Sequence, residues 1–385
     1  MTEGNVHYGA ELERIVGRSN VSAAPALGQG TRGPVVEVRP GSVEEVVELV
    51  RFAGARRLVL RPRGGGVHPL AGGVAAADIA LSTRRLADVV EIDVANLTAT
   101  VGAGMGLDAL GALLAREGRR AGLDRFSGPE ATVGGVVAAD EGGPWRMGFG
   151  NPRDQVLGMK VVLGDGRIVS TGGRTVKNVA GYHLAPLFIG TYGRYGLITE
   201  VTLKLWASPR GAGGFRATFE DPREAIELAG ALAHGRELPQ PKALALIGAG
   251  DSLRGVELAA SYEASPAALE RVAARLPEPA RGSWIAGDAL GAFWRDVASI
   301  PGRSGRRVRT WKRSRAGLVE TLEATGAAIE AGTALVVSFP GSGELWTAGG
   351  AAVEQFTRAA DRLRSGFKAR FDPRGVFGPL GRGAA

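Results

Sequence analysis

The stretch Gly172 to Leu205, GGRTVKNVAGYHLAPLFIGTYGRYGLITEVTLKL, constrains this chain more than any other. Its second half alternates. Leu197, Thr199, Val201, Leu203 and Leu205 fall on one face and Ile198, Glu200, Thr202 and Lys204 on the other, the period-2 pattern of a strand. Just before it, Gly190, Gly193 and Gly196 recur at every third position. Glycine weakens the interior of a helix or a strand, so this spacing suits neither. It suits a backbone that turns with positive φ, or one that something bulky approaches as bare peptide. A glycine-rich turn that holds no ligand is the plain alternative.

Length and composition narrow the setting. A chain of 385 residues favours about two domains with ample core. Apolar residues at 44% and charged residues at 22% are those of an ordinary globular protein. The 60 glycines gather in short loops between apolar runs, which argues against disorder. The first thirty residues hold no basic segment followed by an apolar core, and no apolar run is long enough to cross a bilayer. The expected location is the cytoplasm. With no cysteine, disulfides, thiolate zinc sites, cysteine nucleophiles and protein-ligated iron–sulfur clusters of the common kind are excluded. The excess of 47 Lys and Arg over 39 Asp and Glu, a net +8, suits an acidic partner or an anionic ligand, and equally a plain basic surface. Aromatic–basic interleaving and a helix-turn-helix pattern are both missing, so nucleic acid is not an expected partner.

Taken in order, Glu11 to Arg18 suggests a short helix and Ser22 to Gly33 a loop. A strand at Val35–Val38, an N-cap at Ser42, a helix from Val43 to Ala55 with Glu44 and Glu45 in its first turn, and a strand at Leu58–Leu60 make a β-α-β unit. The unit delivers the chain into Arg61-Pro-Arg-Gly-Gly-Gly66. Three consecutive glycines expose peptide N–H groups that can nest an anion, with Arg61 and Arg63 beside them; a tight connection is the alternative. Strands follow at 78–81, 89–92 and 98–101, then a helix over Leu107–Arg116. Thr132 can cap a short helix running through Val136, in which Gly134 and Gly135 allow a ligand to approach closely. Asp154 reads as a local cap, and Gly164-Asp165-Gly166 as the turn of a hairpin between Met159–Leu163 and Arg167–Ser170. Beyond Trp206, strands at 215–219, 243–247, 256–260, around Val308 and at 334–339 mix with helices at 222–233, 266–275, 289–297, 317–331 and 351–363, an α+β arrangement. Seven cations crowd between Arg303 and Arg315; they read first as a solvated loop, with a clamp for a carboxylate or an acidic partner as the alternative.

The strings P-R-G-G-G at 62–66, T-V-G-G-V-V-A at 132–138, V-K-N-V-A-G-Y-H-L at 176–184 and I-G-T-Y-G-R-Y-G-L-I-T-E at 189–200 occur in an order that resembles one family. It is the vanillyl-alcohol-oxidase/PCMH superfamily of flavoproteins, and within it the FAD-binding subunit of bacterial glycolate oxidase (GlcE-like). The resemblance implies an α+β chain. A PCMH-type, two-subdomain FAD-binding domain over 34–209 follows an extension at 1–33. A smaller α+β cap over 210–370 precedes a segment, 371–385, that returns to the FAD domain. The implied FAD contacts are Arg63, Gly64, Gly65, Gly66, Val67, His68, Thr132, Gly134, Gly135, Ala138, Gly193, Gly196 and Ile198. Val67 and His68 stand where the family has hydroxyl residues, and His68 is out of register with the histidine that some branches bond to FAD, so noncovalent FAD is expected. His183 replaces the family's usual Asp beside Tyr182; these two are the candidate catalytic residues. No metal is expected, because the family's H-x-G-D-G-N-x-H string is missing. The implied function is electron transfer from 2-hydroxy-acid oxidation through FAD to a second FAD subunit and an iron–sulfur subunit, any membrane association coming through those partners. A self-sufficient FAD alcohol oxidase and a scaffold with a decayed flavin site are the alternatives.

Overall fold

The computed structural model describes residues 8–24, 35–66, 77–123, 128–140, 142–173, 184–234, 237–249, 256–303, 308–312, 335–339, 344–348 and 358–378. Within them the chain forms three sheets. The first holds β1 (Val21–Ala24), β2 (Val35–Val38), β3 (Leu60–Arg63) and β4 (Ile79–Ser82) in the order β1-β2-β4-β3. β2, β4 and β3 run parallel, and β1 adds an antiparallel edge. Helices α1 (Gly9–Val16) and α2 (Val43–Arg56) press Leu12, Val46, Leu49, Val50 and Ala53 onto Leu60, Ile79 and Leu81. α2 begins as its residues dictate: Ser42 Oγ accepts the Glu45 N–H at 3.2 Å while the Glu45 carboxylate accepts the Gly41 N–H at 2.7 Å.

Three expectations shift in this sheet. Val21–Ala24 is a strand, not loop, because Val35–Val38 offers it an antiparallel ladder from Ala24↔Val35 to Val21↔Val38. α1 starts two residues early and stops at Val16, where Gly17 turns out of the helix at φ 83°. β3 runs from Leu60 through Arg63, not Leu58 to Leu60, since its pairing with β4 extends from Leu60↔Ile79 to Arg63↔Ser82. Arg61 and Arg63 are therefore strand residues. The backbone ladder holds a strand here that its side chains would not suggest.

The second sheet orders β5 (Val89–Asp93), β6 (Thr98–Gly102), β10 (Leu197–Ala207), β8 (Val156–Val162) and β9 (Ile168–Gly172), with β7 (Arg119–Ala121) paired to the end of β10. β8 and β9 form the hairpin around Gly164–Gly166, closing at Val162↔Ile168. β10 lies between β6 and β8, and its two faces are both covered: Ile198 and Thr202 are buried along with the five residues of the apolar parity. α3 (Leu107–Arg116) and α4 (Val133–Ala139) pack Leu110, Leu114, Val133, Val136 and Val137 into the same core. Two single-turn helices, α5 (Arg146–Phe149) and α6 (Pro152–Gln155), lead into β8; the Asp154 carboxylate accepts the Asn151 N–H at 2.8 Å, the local cap its position suggests.

The third sheet is antiparallel throughout. It orders β14 (Trp284–Ala286), β11 (Ala212–Phe219), β13 (Val256–Glu263), β12 (Ala243–Ala249), β16 (Leu335–Phe339), β17 (Glu344–Ala348) and β15 (Val308–Lys312). Alternation divides its core in two. Leu244 and Leu246 join α7 (Pro222–His234) and α8 (Pro266–Arg275) on one side, while Ala243, Ala245 and Ile247 meet Leu290, Phe293, Trp294 and Val297 of α9 (Asp288–Arg303) on the other. This is the α+β architecture expected. β14 and β17 were not anticipated. Residues 317–331 lie outside the described residues, and the helix expected at 351–363 is described instead as α10 (Arg358–Phe371), residues 351–357 being outside. After α10 the chain lies on the first sheet: Leu60 donates its N–H to Val376 O at 2.6 Å, and Val376 and Phe377 join the core of α2.

Candidate functional site

α4 is the axis of the site. Thr132 caps it, its Oγ1 accepting the Gly135 N–H at 3.2 Å. The next two amides are also engaged within the protein, Val133 N–H with Met105 O at 2.9 Å and Gly134 N–H with Ala103 O at 2.8 Å. What the cap leaves for a ligand is the hydroxyl hydrogen of Thr132, since an oxygen that accepts here still has its own proton to donate.

The glycine triplet lies across this cap. A Cβ at Gly64 would stand 2.2 Å from Thr132 Oγ1, and one at Gly65 would stand 1.6 Å from Glu130 O. Two stretches of main chain therefore meet with no room for any side chain. Arg63 leaves β3 with its Nη1 3.1 Å from Glu37 Oε2 and folds back over Gly66, placing a cation at the turn. Arg84 pairs with Glu130 and closes the same corner.

At the other end of α4 the Gly190–Gly196 loop docks by its backbone. Gly190 N–H donates to Val137 O at 3.3 Å and Tyr192 N–H to Ala138 O at 2.8 Å. The three-residue spacing has a physical reason at each glycine. Gly190 and Gly193 take φ of 76° and 74°, and a Cβ at Gly196 would meet Val161 Cγ1 at 2.6 Å. Gly193 also abuts β3, where its Cβ would lie 2.9 Å from Pro62 Cγ.

The structure thus gathers Arg63, Gly64, Gly65, Gly66, Thr132, Gly134, Gly135, Ala138 and Gly193 around α4. Gly196 and Ile198 belong to the start of β10, where Ile198 is buried opposite Val161. Val67 and His68 lie outside the described residues, as do Tyr182 and His183. The sequence reading missed the run Gly102–Met105, which carries the carbonyls that receive α4. A Cβ at Gly104 would stand 1.8 Å from Thr83 O, so the G-A-G-M-G string was the available clue. It also missed Thr199, left over at the register shift between Ile198 and Glu200, whose carbonyl accepts the Ala103 N–H at 2.8 Å.

A second cluster holds the glycine loop from behind. Lys368 donates to Arg194 O at 2.7 Å and pairs with Asp372, whose carboxylate also accepts the amides of Val376 and Phe377 at 2.8 and 2.9 Å. Burial draws the Lys368 ammonium below the ordinary lysine range; Asp372 opposes that shift and Arg194 adds to it.

Bare peptide on two sides, one free hydroxyl proton and a flanking arginine form a cradle suited to a diphosphate. Comparison with known proteins agrees. Residues 34–172 match the model of the FAD binding domain family. That segment is similar to FAD-binding domains. Similar curated proteins include the D-lactate dehydrogenase of Archaeoglobus fulgidus, 37% identical over 177 residues, which are 46% of this chain and 39% of that protein. The D-2-hydroxyglutarate dehydrogenase of Xanthomonas citri pv. viticola is 36% identical over 180 residues, covering 46% and 38%. The glycolate oxidase subunit GlcD of Bacillus subtilis is 34% identical over 191 residues, covering 49% and 40%. The chain therefore spans about two-fifths of the length of these relatives. Among solved structures, an alkyldihydroxyacetonephosphate synthase superposes with a TM-score of 0.65 over 89% of this chain and 75% of its own, at 18% identity, a likeness of fold.

The FAD-binding domain borders a cavity of about 600 Å³, lined on one side by α3, Gly128, Pro129, Trp145 and Phe149 and on the other by Ala212, Ser261, Leu290 and Trp294. Arg120 of β7 bridges the two sides through a two-pronged pair with Glu263 of β13 and lies 4.6 Å from the centre of the Phe149 ring. Ser261 Oγ, Trp294 Nε1 and Arg120 Nε, all on residues of this lining, are buried without a hydrogen-bond partner. Among the described residues no three His, Cys, Asp or Glu side chains are grouped to hold a metal, and no helix is long and apolar enough to cross a membrane.

Proposed function

We propose that this chain is the FAD-binding subunit of a glycolate-oxidase-type 2-hydroxy-acid oxidase or dehydrogenase, passing electrons to a second FAD subunit and an iron–sulfur subunit. The observation that carries this reading is the continuity between cradle and cavity. Gly128 and Pro129 line the cavity, and Thr132, three residues on, forms the cradle with Gly64. A dinucleotide held at Thr132 would sit on the same segment that lines the cavity.

Bound FAD supplies the acceptor for the electrons of the substrate C–H bond. The chain supplies the rest. Arg63 and the Gly64–Gly66 peptides fix the phosphates, the Thr132 hydroxyl orients them, and the aromatic walls keep water from the reacting carbon. The substrate hydroxyl proton needs an acceptor. We assign it to His183, with Tyr182 beside it, because the cavity lining among the described residues offers Asp108 as its one carboxylate and no histidine. The lack of cysteine supports a partner as the carrier of any iron–sulfur relay. A self-sufficient FAD alcohol oxidase is the second reading, since this chain carries both the cradle and a cavity next to it in sequence.

A visible spectrum of the purified chain, before and after acid precipitation, tests the proposal. Flavin bands that move to the supernatant and, in the native protein, bleach anaerobically with a 2-hydroxy acid are the expected result. His183→Asn should keep the flavin and slow bleaching by roughly 100-fold or more. A folded, colourless chain that takes up no added FAD overturns both readings; bleaching and reoxidation by oxygen without any partner favours the second.

A further inference from the structure

Resting on that reading of the cavity, we infer that its substrate is a 2-hydroxy acid with a bulky apolar side chain, and that Arg295 binds the carboxylate. The size points this way first. A cavity of about 600 Å³ has room for more than a two-carbon acid beside the reacting end of a dinucleotide. The walls point the same way. Trp145 stacks on Phe149 at 6.2 Å between ring centres and faces Trp294 at 6.2 Å, with Leu290 one turn before Trp294 on α9. Such surfaces reward an apolar or aromatic group and give nothing to a small polar one.

The charges then decide which end of the substrate goes where. Arg120 is committed to Glu263 by both prongs of its guanidinium. Arg295, an exposed residue of α9, forms no ion pair among the described residues. A Cβ at Gly291 would lie 3.4 Å from Arg295 Nη1, so the guanidinium lies back along the helix over a residue that itself lines the cavity. A carboxylate is attracted at the Arg295 wall, which leaves the apolar part of the molecule to the aromatic surfaces. The Trp294 Nε1–H, on another residue of the lining, has no protein acceptor and is a further donor within the cavity.

The test uses redox-inert acids on the FAD-loaded full chain: 3-phenylpropionate against propionate, followed by quenching of tryptophan fluorescence. The aryl acid is expected to bind at least about tenfold more tightly. Arg295→Gln should weaken it by about tenfold or more while leaving FAD content and melting temperature unchanged. Equal affinity for the two acids, or an Arg295→Gln variant that binds the aryl acid as the wild type does, overturns the inference. Aryl-acid binding through Arg295 in a chain that takes up no FAD upholds the cavity assignment and defeats the proposed function. FAD that is bound and bleached by glycolate and lactate, with no preference for 3-phenyllactate, does the reverse.

Discussion

The cradle around α4 and the third sheet are both well packed, but by opposite means. In the cradle, bare glycine backbone is pressed against its neighbours: a methyl would stand 2.2 Å from Thr132 Oγ1 at Gly64, 1.6 Å from Glu130 O at Gly65 and 2.6 Å from Ala103 Cβ at Gly134. In the third sheet, side chain meets side chain: Phe215, Leu258 and Leu232 are fully buried, and alternation hands each face its own helices. Backbone closure admits one residue type at each position, whereas apolar packing accepts many sequences of similar volume. Ligand chemistry gathers on the first kind of surface, which has peptide N–H groups to offer, and stability rests on the second.

The contrast predicts opposite responses to volume. Phe215→Ala, which empties a fully buried site, should cost about 3–5 kcal/mol in urea unfolding and leave the FAD affinity of the folded fraction alone. Gly65→Ala adds one methyl against the carbonyl of Glu130, an atom that cannot swing away. It should cost about 1–3 kcal/mol and abolish measurable FAD uptake. Were Gly65→Ala to bind FAD normally while Phe215→Ala lost it, the division of labour between the two regions would be wrong.

Asp372 marks where the flavin side depends on side-chain chemistry after all. Its carboxylate is fully buried, holds Lys368 and two amides, and through Lys368 reaches the carbonyl of Arg194 in the glycine loop. Asp372→Asn leaves a buried ammonium without its counter-charge and should cost about 3 kcal/mol. The pH dependence has a definite sign. Burial lowers the folded pKa of Lys368, so its contribution to stability is complete above the unfolded lysine value and is lost as pH falls through the folded one. Removing Asp372 takes away the interaction that opposes this lowering. The melting-temperature gap between wild type and Asp372→Asn should therefore narrow from pH 7 to pH 10. A gap that stays constant instead means that the lysine is not charged in the folded chain.

How much could be read beforehand follows the same physics. Leu107–Arg116 and Pro266–Arg275 were readable to the residue because local pattern and punctuation set them. The cradle was readable in Gly64–Gly66, Thr132 and Gly134 because glycine in a row, or glycine after a cap, has few other uses. β3 was misplaced because its Arg-Pro-Arg run is a strand only by virtue of β4 alongside, and β14 is three residues held by β11. The cavity had no local trace at all. Arg120 and Glu263 meet across 143 positions, and Trp145 faces Trp294 across a similar interval, so nothing short of the fold brings them together.

The smallest effect separates capping from binding. Ser42 and Thr132 cap α2 and α4 in the same way, each side-chain oxygen accepting an amide at 3.2 Å three residues ahead. As caps they are equivalent, and Ser42→Ala and Thr132→Ala should each cost about 1 kcal/mol of stability. Only Thr132 lies under the glycine triplet, with its hydroxyl 2.2 Å from where a Gly64 methyl would be. Its remaining proton is free for a phosphate oxygen, worth about 1.5–3 kcal/mol when the acceptor is charged, or roughly 10- to 100-fold in affinity. Titration of the two variants with FAD, at a temperature where both are folded, should show that loss for Thr132→Ala and none for Ser42→Ala. Thr132→Ser, which keeps cap and proton, should restore most of it. Equal affinities across the series would reduce Thr132 to a cap and leave the cradle to the peptide N–H groups and Arg63.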